Sequence, residues 1–179
     1  MVAVQKKMDI LGVVILGVTT AIGGGITRDI LMGVTPPQSL TNPLYAGISI
    51  AVSLLIFFPP IRGRINVDII AFVALDALGL GTFTVIGIET ASGLNNIFLQ
   101  IFLGVLTGVG GGVLRDIFAA EKPTIFIKRF YAVASLIGAI VCTIVYPFYK
   151  NSAMVLGIII IIILRVLAAK FKWNLPRVD

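Results

Sequence analysis

Glycine, arginine and aspartate recur in this chain as a spaced set. Residues 20–30 (TAIGGGITRDI) align with residues 107–117 (TGVGGGVLRDI) at an offset of 87, and Pro37 and Tyr45 align with Pro123 and Tyr131 at an offset of 86. Each glycine inside a helix costs about 1 kcal/mol relative to alanine, so a triplet weakens its helix by about 2–3 kcal/mol unless the structure uses it. One use is close packing: Gly104, Gly108 and Gly112 fall on one ridge, with Gly17, Ala21 and Gly25 as counterparts, and small residues at that spacing let backbones approach. The other is a kink or break whose freed carbonyl oxygens face a wet passage and favour cations. On that reading Gly23, Gly24, Gly25, Gly110, Gly111 and Gly112 line or bend a pathway.

Charges follow each triplet at the same distance, as Arg28-Asp29 and Arg115-Asp116. A charge deep in a bilayer costs about 2.5–3.5 kcal/mol on insertion scales, so these groups should face a bundle interior or a water-filled cavity, in a pathway or gating role, or else close a helix end at the surface. Adjacent residues on a helix point about 100° apart, which leaves open pairing across the repeat, Arg28 with Asp116 or Arg115 with Asp29. Asp76, set within an apolar run, is the remaining candidate: a cation-attracting group, or the structural partner of an arginine. Asp9 and Asp68 mark where their helices enter the membrane, and Thr82 and Thr84 should bond within their own helix.

The elements that must position these residues are membrane helices. The 179 residues are 58% hydrophobic and 12% charged, with a mean hydropathy of +1.08, against about 25% charged in soluble domains. A soluble fold of this size cannot hide so much apolar surface. There is no histidine and a single cysteine, Cys142, which excludes an internal disulfide, a histidine base and a His/Cys zinc site. With no nucleophile elbow and no P-loop pattern either, an enzyme is not expected, nor a cofactor or a bound metal beyond transient cations. The formal charge of +6 lies between apolar runs and reads as a topology signal, not a nucleic-acid surface.

Six runs approach the roughly 20 apolar residues a span needs: Ile10–Thr27, Leu44–Phe58, Ile69–Ile88, Asn96–Leu114, Phe130–Phe148 and Ala153–Ala169. Lys6, Lys7, Arg62, Arg64, Lys122, Lys128, Arg129, Lys170, Lys172 and Arg177 fall on one side of them and Lys150 on the other. The rule that basic loops stay inside therefore predicts a multi-pass protein of a prokaryotic cell membrane with a cytoplasmic C-terminus. Trp173 beside Lys172 fits an interfacial anchor, and membrane lipid is the expected surround.

The second repeat copy has a helix upstream of its triplet helix; the first does not. The full plan is two three-helix repeats, inverted because three is odd, plus a C-terminal helix. Residues 1–60 form repeat 1 without its first helix, 61–149 repeat 2, and 150–179 the last helix and tail. The expectation is that Met1 lies downstream of the natural start.

These motifs resemble the prokaryotic TRIC (trimeric intracellular cation) channels, also labelled glycine-transporter-like membrane proteins. The resemblance rests on the paired GGGxxRD motifs, Asp76–Gly87 (DALGLGTFTVIG) and Gly104–Asp116 (GVLTGVGGGVLRD), and runs from about Lys6 to Pro176. It implies a homotrimer with a potassium-permeable pore in each protomer, lined by the helices of Gly23–Gly25 and Gly110–Gly112, with Arg28, Asp29, Asp76, Arg115 and Asp116 as the polar groups near it. A secondary transporter of a small zwitterion such as glycine is the alternative, since inverted repeats also suit alternating access. The lack of aromatic residues at the triplets, which would shape an organic pocket, favours the channel. A structural protein packed through its glycine ridges is the third reading.

Overall fold

The computed structural model describes residues 2–58, 69–127 and 130–173. Asp68, Arg62, Arg64, Lys128, Arg129 and Arg177, used above for topology, lie outside the described residues, as does the boundary near residue 60. Each of the six apolar runs is a helix. In chain order the elements are α1 (Val2–Gln5), α2 (Ile10–Leu31), α3 (Gln38–Thr41), α4 (Pro43–Phe57), α5 (Ile69–Ala91), α6 (Ile97–Phe118), α7 (Thr124–Ile127), α8 (Tyr131–Val145) and α9 (Lys150–Lys170). A 3₁₀ turn, Ser92–Leu94, follows α5.

Four of these (α2, the helical stretch of α5, α6 and α9) are long and apolar enough to cross a membrane, while α4 and α8 are shorter. At 15 residues each, the short pair rises about 22 Å, less than the roughly 30 Å hydrocarbon layer. Flanking residues or local thinning must make up the difference. Only 28–33% of each long span is buried within the protein, and Phe98, Leu44, Ile48 and Leu75 stand more than 60% exposed. Such faces belong against lipid. The all-helical membrane fold read from the sequence is the fold observed.

The repeat is visible in the elements themselves. α2 and α6 each span 22 residues and start and stop 87 positions apart, while α3 and α7 are both four residues long and α4 and α8 both fifteen. The caps match as well. Gly12 N–H donates to Asp9 Oδ1 at 2.7 Å and Leu99 N–H to Asn96 Oδ1 at 3.0 Å, satisfying backbone donors that a helix start leaves open. At the other end, Val34 N–H donates to the Asp29 carbonyl and Glu121 N–H to that of Asp116, both at 2.8 Å. Gly33 (φ 72°) and Ala120 (φ 52°) hold the left-handed turn between. This is the closure by which helices satisfy their last carbonyls.

The chain packs as two compact units, Met1–Val67 with Gly110–Pro123, and Asp68–Val109 with Thr124–Asp179. In the first, α2 packs on α4, close enough at Gly17 that a Cβ there would strike Ser53 Oγ. Ala3, Val13, Leu16 and Ala119 make its small apolar core. In the second, α5, α8 and α9 pack on one another around Val85, Ile88, Ala139, Cys142 and Ala153. Here the expected ridge operates at two positions: a Cβ on Gly104 would lie 3.0 Å from the Thr84 carbonyl oxygen, and one on Gly108 3.1 Å from that of Leu80. Thr82 and Thr84 donate to the carbonyls four residues back, as expected, and Thr84 Oγ1 also lies 2.8 Å from Ser135 Oγ, joining α5 to α8.

Gly87 tests this packing. A Cβ there would lie 2.7 Å from the Leu103 carbonyl oxygen and 2.8 Å from Gly104 Cα, backbone that cannot step aside. Gly87→Ala should destabilise the protein by about 1–3 kcal/mol. Gly79→Ala, with nothing within 4 Å of its Cβ, should be neutral or stabilising by up to about 1 kcal/mol. Equilibrium unfolding in detergent mixtures distinguishes the two.

Candidate functional site

The two glycine triplets meet. In the first unit, a Cβ added to Gly111 would collide with the Thr20 carbonyl oxygen and lie 3.1 Å from its carbonyl carbon, and one on Gly110 would lie 3.2 Å from Gly24 Cα. A Cβ on Gly23 would lie 2.8 Å from Leu114 Cδ1. The helices of the two repeat copies thus cross backbone to backbone. Both triplets lie within continuous helical spans, and at the crossing it is their missing side chains that let the backbones approach. The Thr20 hydroxyl donates to the Leu16 carbonyl at 2.6 Å and the Thr27 hydroxyl to the Gly23 carbonyl at 2.9 Å, so neither adds an unsatisfied group.

The third glycine of each triplet has a different neighbour. A Cβ on Gly25 would lie 4.0 Å from Arg28 Nη2, and one on Gly112 3.7 Å from Arg115 Nη2. Helical side chains lean toward the N-terminus, so each arginine lies back over its own triplet. Each also pairs with the aspartate beside it. Arg28 donates through Nε (2.8 Å) and Nη2 (2.7 Å) to Asp29 Oδ1, and Arg115 Nε lies 2.8 Å from Asp116 Oδ1. Pairing therefore runs within each copy. Asp29 is wholly buried, and its second oxygen accepts the Gln38 N–H at 2.9 Å, fastening the start of α3. The copies differ in exposure: the Arg28 side chain is 7% exposed and that of Arg115 24%. Beside the crossing, an open groove of about 260 Å³ is lined mainly by Val18, Ile22, Ile26, Leu114 and Phe118, with Thr19 and Thr27 as its polar edge.

Asp76 lies in the second unit, where it meets an arginine. Arg165 Nη2 donates to Asp76 Oδ2 at 3.2 Å, and the guanidinium carbon stands 4.7 Å above the Tyr131 ring. α5, α8 and α9 are held at one point by this cluster, and the Arg165 side chain is 7% exposed. Of the two readings of Asp76 offered by the sequence, arginine partner is the one the geometry carries. In the sequence Arg165 is a lone cation near the end of the last apolar run. Its partner is 89 positions away, and no local pattern announces the contact. The residues of the triplet crossing form one constellation, and Asp76 belongs to another.

Gly111→Ala should weaken the crossing by about 1–3 kcal/mol, while Gly25→Ala and Gly112→Ala, whose added methyls meet only ordinary contacts, should keep the fold. Trypsin resistance in detergent checks the order. For the second cluster, Asp76→Asn and Arg165→Gln should each cost about 1 kcal/mol, because each removes one partner of a pair whose arginine is buried and whose aspartate is about a third exposed. The double variant should cost clearly less than the two together; additive losses would show that the groups do not interact.

Comparison with known proteins gives concordant matches. The family model described as Glycine transporter matches residues 1–59 and 73–147. The inner membrane protein YadS of Escherichia coli K12, of the UPF0126 group, is 32% identical over 98% of this chain and 86% of its own length. A solved TRIC cation channel, studied for its basis of conductance, superposes with a TM-score of 0.90 at 38% identity, over 99% of this chain and 88% of that one. The TRIC orthologue from Rhodobacter sphaeroides gives a TM-score of 0.86 at 32% identity, over 96% and 89%. The chain belongs to this family of membrane proteins, described as glycine transporters and represented among solved structures by the TRIC cation channels.

Proposed function

We propose that the protein is a monovalent cation channel, potassium-permeable, with a pathway in each protomer beside the crossing of its two triplet helices. The observation that carries this is the crossing itself: two copies of one motif, from two repeats, brought backbone to backbone in a fold shared with solved TRIC cation channels over nearly the whole chain.

Its chemistry suits passage better than reaction. The site offers helical backbone, threonine hydroxyls and Arg–Asp pairs whose charges cancel. On this reading the protein conducts rather than catalyses and uses no cofactor. Coordination by oxygen dipoles and modest charge is how channels replace an ion's hydration shell while letting it leave. Gly23–Gly25 and Gly110–Gly112 set the width of the passage, and Arg28, Asp29, Arg115 and Asp116 flank it. Asp76 acts through the packing of α9. Three helices per repeat support opposite orientations of the two copies. The one-sided distribution of lysine and arginine supports a cytoplasmic C-terminus in a prokaryotic cell membrane. The trimer borne in the names of the related channels supports a homotrimer here.

The test is potassium efflux from liposomes containing the purified protein, with a proton ionophore present and labelled glycine uptake measured in parallel. Potassium should leave down its gradient without glycine. Gly111→Ala should change that flux by about tenfold, the effect of about 1.4 kcal/mol on the barrier, and Gly112→Ala should change it much less. Saturable glycine uptake with no potassium leak would overturn the channel and leave the zwitterion transporter.

A further inference from the structure

The end of α9 carries a built feature that conduction does not use. The helix closes by a left-handed turn at Lys172 (φ 55°), with Phe171 N–H donating to the Leu167 carbonyl at 2.8 Å and Trp173 N–H to that of Ala168 at 3.1 Å. Glycine is the usual occupant of that position. The turn folds the chain back so that the Trp173 ring stands edge-on to Phe130 at 5.5 Å and stacks with Phe171 at 6.4 Å. Phe130 caps the start of α8, and the next residue, Tyr131, holds Arg165. Two consecutive aromatic residues of one helix thus clasp the end of another. The ledge is open outward, with Phe171 60% and Trp173 38% exposed.

Charge is left over at this ledge. In the second unit the described acidic residues are Asp76 and Glu89, and these engage Arg165 and Lys150. Lys170 and Lys172 stand exposed at the turn with no acidic partner among the described residues, and Lys170 Nζ lies 6.0 Å from the Phe171 ring. The sequence adds Lys128 and Arg129 directly before Phe130. Because α9 is long and apolar enough to cross a membrane, its end lies where acyl chains give way to phosphates. Exposed aromatic rings suit that boundary, and lysines there attract anionic lipid.

We propose that Lys170, Lys172 and the Trp173–Phe171 ledge bind the headgroup of an anionic phospholipid, which fastens the clasp between α8 and α9. The proposal rests on the membrane fold and is independent of what the protein conducts. Trp173 is the sole tryptophan, so its emission reports on the site directly. Protein in neutral detergent is titrated with phosphatidylglycerol, with phosphatidylcholine and with inorganic phosphate. Phosphatidylglycerol should shift the emission saturably and raise the midpoint of thermal unfolding, and the other two should not. Lys170→Gln/Lys172→Gln, folded as the starting protein, should lower apparent affinity by about thirtyfold, whereas Lys150→Gln should leave it unchanged. Equal responses to both lipids, a response to phosphate alone, or full affinity in the double variant would overturn the proposal. Potassium flux, measured separately, does not enter the result.

Discussion

Within a bilayer, burying an apolar helix face against another gains little, because lipid tails are as apolar as leucine. What remains is close contact and hydrogen bonding, and both require backbones to approach. In this protein glycine is the means at each major contact. Gly111 meets Thr20, Gly17 meets Ser53, Gly87 and Gly104 meet each other, and Gly157 lies against Gly138. The helices can pay for few large side chains at these points, which explains why so much aromatic and aliphatic surface is turned outward instead. The cost of about 1 kcal/mol per helical glycine is offset by dispersion between backbones that a single methyl would separate.

Electrostatics follows the same constraint. With no water to solvate them, charges within the spans must be neutralised locally, and the four best-buried ionic side chains of the first unit form two pairs between neighbours in sequence. Asp29 goes further by holding the first N–H of α3 through its carboxylate and the Val34 N–H through its backbone carbonyl, so that one residue closes a charge, ends a helix and starts the next. Asp76 and Arg165 do the equivalent work over a long sequence separation, with Tyr131 covering the guanidinium.

Much of this was legible in the sequence. The apolar runs located every long helix, because a span is the strongest pattern a sequence can carry. The repeat was readable to the residue, and the caps explain why: Asp9 and Asn96, Gly33 and Ala120, occupy the same structural positions. Less legible was the use made of the triplets. Glycine both weakens a helix and admits a neighbour, and it takes the position of Thr20 against Gly111 to show the second effect in use. The Arg–Asp pairing was hidden for a related reason. Directions from helical geometry separate adjacent residues by about 100°, but a long arginine turned back along its helix still reaches the neighbouring carboxylate. Contacts as remote as Asp76 with Arg165 have no local signature at all.

The two copies of the motif have diverged where their surroundings differ, and this argues that the crossing is not a symmetric hinge. Thr27 in the first copy corresponds to Leu114 in the second. Thr27 turns its hydroxyl onto the Gly23 carbonyl of its own helix, whereas Leu114 reaches across and packs over Gly23. Leu114 also lines the groove beside the crossing, together with Phe118, which occupies the position of Leu31. The second copy thus supplies bulk and the first supplies space. Arg115, more exposed than Arg28, extends the same inequality to the charges. Leu114 packs over Gly23 while Thr27 bonds within its own helix, so substitutions at 27 and 114 should not be interchangeable despite their equivalence in the repeat.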